Sequence, residues 1–364
     1  MSSGFTSQIP NAQKGRGARS NASGRYESQA REAFDDGWTL DDEEPTKLDT
    51  TLTAEKARVI ISRNDSPDVG FSASINPYRG CEHGCIYCYA RPAHAYMGLS
   101  PGLDFESKLF FKPEAARLLE KELSKTKYTP EFIHIGGNTD PYQPQERKLR
   151  ITRGVIEVLL RFRHPFSVIT KSALVVRDLD LLAEAAALNL TRVAMSITTL
   201  DRKLARSMEP RAATPEKRVD AIRRLTAAGV PVTVMFAPCI PGLNDHEMEA
   251  VLDRAAAAGA SGAGYVALRL PLEIKDLFRE WLESEHPDRA RRVMSLVRQM
   301  RGGKDYDMTW GSRMKGEGPV ADLMATRFKA AKRRYGLDQG WGSLDAARFR
   351  VPPQKGGQMD LFEA

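Results

Sequence analysis

The sequence predicts an α/β fold: a partial (β/α)6 TIM-type barrel followed by a helical C-terminal extension. Three observations predict it. Short β-rich runs alternate with amphipathic stretches six times in series, the pattern of parallel strands joined by right-handed crossovers. Polar and glycine residues gather at the C-terminal end of each run and not at the N-terminal end, the side on which barrel active sites are built. Beyond Pro271 only helical periodicity remains. At 364 residues the chain can bury one large core or two smaller ones.

In chain order, residues 1–30 are rich in Gly, Ser, Asn, Gln and Arg and read as disordered. An acidic stretch with Trp38 follows, Asp35 to Asp49, so 1–55 is expected to be a mostly disordered arm. The barrel is assigned to 56–271. Its strands are expected at Ser72–Asn76, Phe132–Ile135, Phe166–Thr170, Val193–Ile197, Val232–Phe236 and Tyr265–Leu268. The intervening helices are expected at Pro113–Leu123, Thr152–Phe162, Asp178–Leu188, Pro215–Ala228 and Asp245–Ala258. Thr214-Pro215 is a helix start and Gly229 a stop, which fixes one unit firmly. A basic helical extension over 272–340 is expected to cover the open side of the barrel, and 341–364 to be a flexible tail.

The formal charge of +7 is uneven. Residues 1–50 hold 6 basic and 9 acidic side chains, whereas Asp288 to Tyr335 holds 13 basic against 5 acidic. That balance suits nucleic acid and equally suits solvated faces of Arg-rich helices. No segment approaches the roughly 18 uninterrupted apolar residues of a membrane helix. Residues 1–17 lack the apolar stretch of a signal peptide, so a cytoplasmic protein without membrane contact is expected.

Three of the four cysteines, Cys81, Cys85 and Cys88, fall in one run from Gly80 to Tyr89. The Cys-x3-Cys-x2-Cys spacing offers three thiolates from one tight loop and no fourth. A structural zinc site would need His83 or His94 to complete it, yet zinc ligands usually come as two separated pairs. Three clustered cysteines do not pair evenly into disulfides. A [4Fe–4S] cluster on three cysteines leaves one iron open to bind a cofactor or substrate.

That cysteine run resembles the radical S-adenosylmethionine (SAM) superfamily. The resemblance implies a [4Fe–4S] cluster and SAM as cofactors, an external electron donor, and cleavage of SAM to a 5′-deoxyadenosyl radical that abstracts hydrogen from a substrate. It also implies the same partial barrel. Tyr87 matches the aromatic position that contacts adenine, or simply packs the loop. Gly136 and Gly137, at the end of the second strand, match the glycine motif approached by the methionine moiety. Asn138, Thr139 and Asp140 add polar groups there, with Asp140 equally suited to capping the turn at Pro141. Within the superfamily the runs Asn76-Pro77-Tyr78-Arg79-Gly80, Thr139-Asp140-Pro141-Tyr142-Gln143-Pro144 and Glu209-Pro210-Arg211 resemble a bacterial group in the spore photoproduct lyase branch, over roughly residues 60–335. That branch places a lysine and a serine toward the SAM carboxylate where this chain has Lys171 and Ser196. Arg211 is a further SAM or substrate candidate, with an ion pair to Glu209 as the alternative. The branch's hydrogen-donating cysteine is replaced here by Gly136-Gly137-Asn138, which puts photoproduct reversal by that route in doubt. Cys239 and Tyr89 are the substitute hydrogen-transfer candidates, Cys239 otherwise being a small buried hydrophobe. A DNA lesion or modified nucleotide is the favoured substrate. The alternatives are protein, RNA or a small molecule, or a non-catalytic metal-stabilised nucleic-acid-binding module.

The chain ends Gln358-Met359-Asp360-Leu361-Phe362 before Glu363-Ala364. This resembles the peptide by which bacterial repair proteins dock on the DNA sliding clamp. Leu361 and Phe362 are expected as adjacent apolar anchors and Gln358 as the polar contact.

Overall fold

A computed structural model of the chain describes residues 15–27, 48–339 and 342–353. Its strands are β1 (Thr51–Ala54), β2 (Ile61–Arg63), β3 (Ala73–Ile75), β4 (Tyr78–Arg79), β5 (Lys108–Phe111), β6 (Ile133–Ile135), β7 (Phe166–Thr170), β8 (Thr191–Ser196), β9 (Val232–Cys239) and β10 (Gly262–Ala267). The helices are α1 (Leu103–Ser107), α2 (Ala115–Leu123), α3 (Glu146–Leu149), α4 (Ile151–Arg161), α5 (Leu179–Ala187), α6 (Arg202–Met208), α7 (Pro215–Ala227), α8 (Met248–Ala257), α9 (Ile274–Glu285), α10 (Pro287–Gln299) and α11 (Pro319–Arg334). The main sheet runs β10-β9-β8-β7-β6-β3-β2. Every pairing from β3 to β10 is parallel, and only the edge strand β2 is antiparallel. This is the open six-unit barrel, since β10 and β2 end the sheet without meeting.

The six parallel strands are covered on both faces, so β7 (FSVIT) and β9 (VTVMFAPC) read as near-continuous apolar runs, not alternating ones. The helices bury one stripe each. In α4, Ile151, Val155, Ile156, Val158 and Leu159 face inward. Each such side chain contributes roughly 1.5–3 kcal/mol on burial. Helix α7 begins with Pro215 at its first position, after extended Thr214, and stops before Gly229 at φ +80°. A second apolar cluster lies beside the main one. It joins Cys85, Ile86 and Tyr87 to Leu268, Leu270, Ile274, Phe278 and Trp281, so α9 packs directly behind the cysteine loop. Trp281 Nε1 also donates to the Ser207 carbonyl, 3.1 Å, tying α9 to α6. No helix among the described residues is long and apolar enough to cross a membrane.

Three expectations need correction. Residues 15–27 of the arm are packed and residues 51–54 pair as a strand with β5, so neither is disordered. Arg16 Nη1 donates to Glu106 O at 2.7 Å, and the Gly17 and Ala18 amides donate to the Glu106 carboxylate at 2.9 and 2.8 Å. Composition misses this because the strap is held by backbone amides on buried acceptors and by few apolar side chains. The tail is packed over 342–353. Phe349 sits among Tyr128, Phe162 and His164, and Arg350 N donates to Phe162 O, 3.0 Å. Finally, a small sheet β1-β5-β4 and the edge strand β2 were not foreseen. They are two to four residues long, and β1 is exposed along its length, so no period-2 signal marks them. The peptide with Gln358, Leu361 and Phe362 lies outside the described residues.

Candidate active site

Cys81, Cys85 and Cys88 lie on the loop that leaves β4, with Cys81 and Cys85 buried and Cys88 half-buried. Backbone bonds shape the loop from within. Gly84 N reaches Cys81 O at 3.3 Å, Cys88 N reaches Cys85 O at 3.2 Å, and Arg91 N reaches Cys88 O at 3.2 Å. Arg91, fully buried, locks it from behind. Its Nε donates to Cys85 O (2.9 Å), Nη1 to the carbonyls of Pro101 and Gly102 (3.0 and 2.9 Å), and Nη2 to Gly84 O (3.1 Å) and Glu106 (2.5 Å). Glu106 thus receives Arg91 on one side and the strap amides on the other. A Cβ on Gly17 would collide with the Gly84 carbonyl, so only glycine lets the strap lie this close.

Neither histidine completes a tetrahedron with the thiols. His83 Nδ1 lies 3.3 Å from Asp140 Oδ2. His94 Nε2 is 3.0 Å from Lys108 O, and burial pulls its pKa down to about 4. Among the described residues no three His, Cys, Asp or Glu side chains are grouped to hold a single metal ion. The donor set fits a cluster better, because each thiolate of a [4Fe–4S] group takes a different iron and the three need not converge on one point. Burial pushes the Cys85 thiol up to about 12 and Cys81 well above its ordinary value. A cationic group on the loop would therefore be needed to hold them as thiolates.

Around the loop stand the ends of the barrel strands. Lys171, just past β7, has Nζ 5.6 Å from the Tyr87 ring centre. Burial lowers its pKa, but the facing Cys85, Glu209 and Asp140 outweigh that and Lys171 ends above the ordinary lysine range. The Tyr87 hydroxyl donates to Glu209, which also accepts from Thr198 and from buried Arg218. Burial alone would raise the Glu209 carboxyl. Arg218 and Lys171 overcome this and hold it below the usual carboxylate range. Tyr87 is thereby fixed by a buried ion pair.

The other predicted residues separate into groups. Gly136, at φ +98°, is required by its own turn, since a Cβ there would meet Pro141 Cδ at 2.6 Å and Ile169 O at 2.9 Å. Gly137 has only ordinary neighbours, and its carbonyl accepts from Tyr89. Thr139 Oγ1 donates to Gly80 O at 2.8 Å, tying this rim to the cysteine loop. Asn138 is exposed, its amide bonded to Asn76 Oδ1 at 2.7 Å. Asp140 is a turn-capping group. It accepts from Tyr142 N (2.9 Å), Thr170 Oγ1 (2.7 Å) and Lys171 N (2.8 Å), which leaves it little capacity for a cofactor. Ser196 is buried at the end of β8, with Arg218 Nη1 on its carbonyl at 3.1 Å. Arg211 pairs with Glu82 and donates to Gly15 O, while Glu209 pairs with Arg218. The alternative reading of Arg211, an ion pair to Glu209, is therefore corrected to a pair with Glu82.

Cys239 sits as its alternative reading has it. It is wholly buried in the main apolar core, and the charges acting on it belong to Asp245, Arg327 and Glu249, not to the cysteine loop. Tyr89 remains half-exposed at the mouth, with the Arg269 guanidinium 5.3 Å from its ring centre. The Glu209–Arg218 and Arg91–Glu106 pairs were missed in the sequence. Arg218 carried a signal: it shares the inward face of α7 with Pro215, Ala221, Ile222 and Leu225, and a charge on an apolar stripe calls for a buried partner.

The radical SAM superfamily model matches residues 75–255. A Mycobacterium tuberculosis protein described as uncharacterised is 38% identical over 231 residues, 63% of this chain and 68% of the relative. An uncharacterised Methanocaldococcus jannaschii protein is 30% identical over 192 residues, 53% of this chain and 69% of its own length. The chain belongs to the radical SAM superfamily, whose cofactors are a [4Fe–4S] cluster and SAM. Its fold is that of spore photoproduct lyase. The complex of that enzyme with a dinucleoside spore photoproduct superposes with a TM-score of 0.54 at 16% identity, over 78% of each chain. A form with bound AdoMet and the same ligand gives 0.50 at 16% identity, over 78% of this chain and 77% of that one.

Proposed function

We propose that this chain holds a [4Fe–4S] cluster on Cys81, Cys85 and Cys88, cleaves SAM reductively, and acts on nucleic acid, a damaged or modified nucleotide in DNA above all. The observation that carries the chemistry is the donor set: three thiols on one braced loop, no three metal-binding side chains converging on one point among the described residues, and Lys171 Nζ 5.6 Å from the Tyr87 ring centre in the same loop. When bound, the cluster and SAM supply a carbon-centred radical able to take hydrogen from a substrate. The chain's own residues position and shield. The Lys171 ammonium and the Ser196 hydroxyl would meet the SAM carboxylate, and the Tyr87 ring, fixed by Glu209, would flank the adenine. The Gly17–Ala18 strap covers the outer side of the loop against water.

The nucleic-acid reading is supported by the fold shared with an enzyme seen in complex with a dinucleoside photoproduct, by the basic balance of residues 288–335, and by the clamp-like peptide at Gln358, Leu361 and Phe362. With glycines where that branch has its donor cysteine, Tyr89 is the remaining hydrogen-transfer candidate. The test is 5′-deoxyadenosine formation by anaerobic, reduced protein with irradiated or alkylated DNA, intact DNA, or no DNA. Damaged DNA is expected to raise turnover. Turnover that ignores every nucleic acid yet responds to a peptide or metabolite pool would overturn the substrate class. Binding to a bacterial sliding clamp, lost in Phe362→Ala, is the matching test of the terminal peptide.

A further inference from the structure

The barrel is open between β10 and β2, and one segment spans the gap at its mouth. Residues 306–314 are pinned on the β10 side by Ala267 N to Met314 O, 2.9 Å, and by Arg269, whose guanidinium reaches the Tyr306 hydroxyl (3.3 Å) and Met314 Sδ (3.4 Å). On the other side Gly311 N donates to Asp68 Oδ1 at 2.6 Å. Arg313 pairs with Asp68 and donates to Ser66 Oγ at 2.5 Å. Asp68 and Ser66 belong to the connection that runs from β2 into β3.

A loop braced at both ends has no packing need for large apolar side chains pointing outward. Yet Met308 is 68% exposed and Trp310 56% exposed. The same Arg269 that anchors the loop stacks on Tyr89, 5.3 Å from its ring centre, and Tyr89 bonds to the Gly137 carbonyl at the strand-end rim. The loop that carries the exposed pair is therefore anchored on the same arginine that lies over Tyr89, and over residues 304–317 three basic side chains stand against three acidic ones. Aromatic and apolar surface flanked by the exposed Lys304 and Lys315 suits an unstacked base on a polyanionic strand, because every base offers a π-face and phosphates can meet the two ammonium groups.

We infer that residues 306–314 form a docking platform for single-stranded or locally unstacked nucleic acid, with Trp310 and Met308 stacking a base outside the site while the strand enters through the open side. This rests on the nucleic-acid reading above and deepens it.

The test is anisotropy of a labelled single strand of about 16 nucleotides titrated with the full cluster-loaded chain. Wild type, Trp310→Ala, Trp310→Phe, Met308→Ser and, on helix α2 outside the basic stretch, Lys121→Ala are compared over a salt series. Trp310→Ala is expected to weaken binding about 5-fold or more, with Trp310→Phe restoring most of it and the salt slope unchanged. Lys121→Ala should keep wild-type affinity. Unfolding midpoints should match wild type because both loop side chains are exposed, and Met308→Ser gives an independent reading should Trp310→Ala destabilise. Wild-type affinity in both loop variants would overturn the platform and leave the nucleic-acid reading standing. A wild-type chain that binds no strand even at low salt would overturn both, and a protein partner captured through Trp310 instead would reassign the surface.

Discussion

Replacing Arg91 with methionine tests what holds the cysteine loop. The guanidinium is wholly buried and makes five bonds: to the carbonyls of Cys85, Gly84, Pro101 and Gly102, and to Glu106. Methionine fills much of the volume but donates nothing, so the Glu106 charge loses its buried counterion and four carbonyls lose a donor. Breaking a buried pair from one side costs about 3–5 kcal/mol. Summing each unpaired carbonyl at about 1–3 kcal/mol would give more, but the Gly17 and Ala18 amides still serve Glu106 and water can enter a loosened loop, so the lower range is the better expectation. Against a typical stability of about 5–15 kcal/mol that is a large fraction. Anaerobic urea unfolding of Arg91→Met, Glu106→Gln and the double variant measures it, and iron per chain after desalting reads the site. The double variant should be less destabilised than the sum of the singles, by roughly 0.5–3 kcal/mol, and Arg91→Met should retain less iron. Unfolding within about 0.5 kcal/mol of wild type, with full iron retention, would refute the bracing role.

Three further outcomes follow from the geometry. Gly136→Ala should destabilise by about 1–3 kcal/mol, because of its φ of +98° and the collision with Pro141. Gly137→Ala should leave the unfolding midpoint near wild type, and equal effects would contradict the reading of this turn. Cys239→Ala should lower stability by about 1 kcal/mol without changing substrate conversion, and conversion lost while SAM cleavage persists would make Cys239 the donor after all. Burial holds the pKa values of His94 and His164 at about 4, below their unfolded value near about 6.5. The unfolded chain thus takes up protons first. Stability should be full above about pH 6.5 and fall toward about pH 4, by on the order of 3 kcal/mol per histidine. A urea midpoint flat over that window would contradict it.

The six parallel strands were legible because burial on both faces makes each a compact apolar run, as in Phe166–Thr170, bounded by polar strand ends. Strands β1, β2 and β4 are short, and β1 is fully exposed, so neither periodicity nor composition marks them. Helix α6 is brief and basic, started by Asp201 accepting from Lys203 N at 2.7 Å. The thiol loop was legible because its ligands are contiguous. The residues that brace it were not. Arg91 and Glu106 are fifteen positions apart, and Gly17 reaches Glu106 across 89 positions, so only the tertiary fold brings them together. Arg218 lay between these cases, a charge on an otherwise apolar helix face whose partner Glu209 the sequence did not identify.

The most direct test is the amount of 5′-deoxyadenosine formed from SAM by the anaerobically reconstituted, reduced chain, set against Cys85→Ala. Wild type is expected to hold about four irons with sulfide and to form the nucleoside, and the variant to form none. Formation by Cys85→Ala at the wild-type rate, or none by a wild-type chain with an intact reduced cluster in the presence of damaged DNA, would contradict the assignment of these three thiols to SAM cleavage.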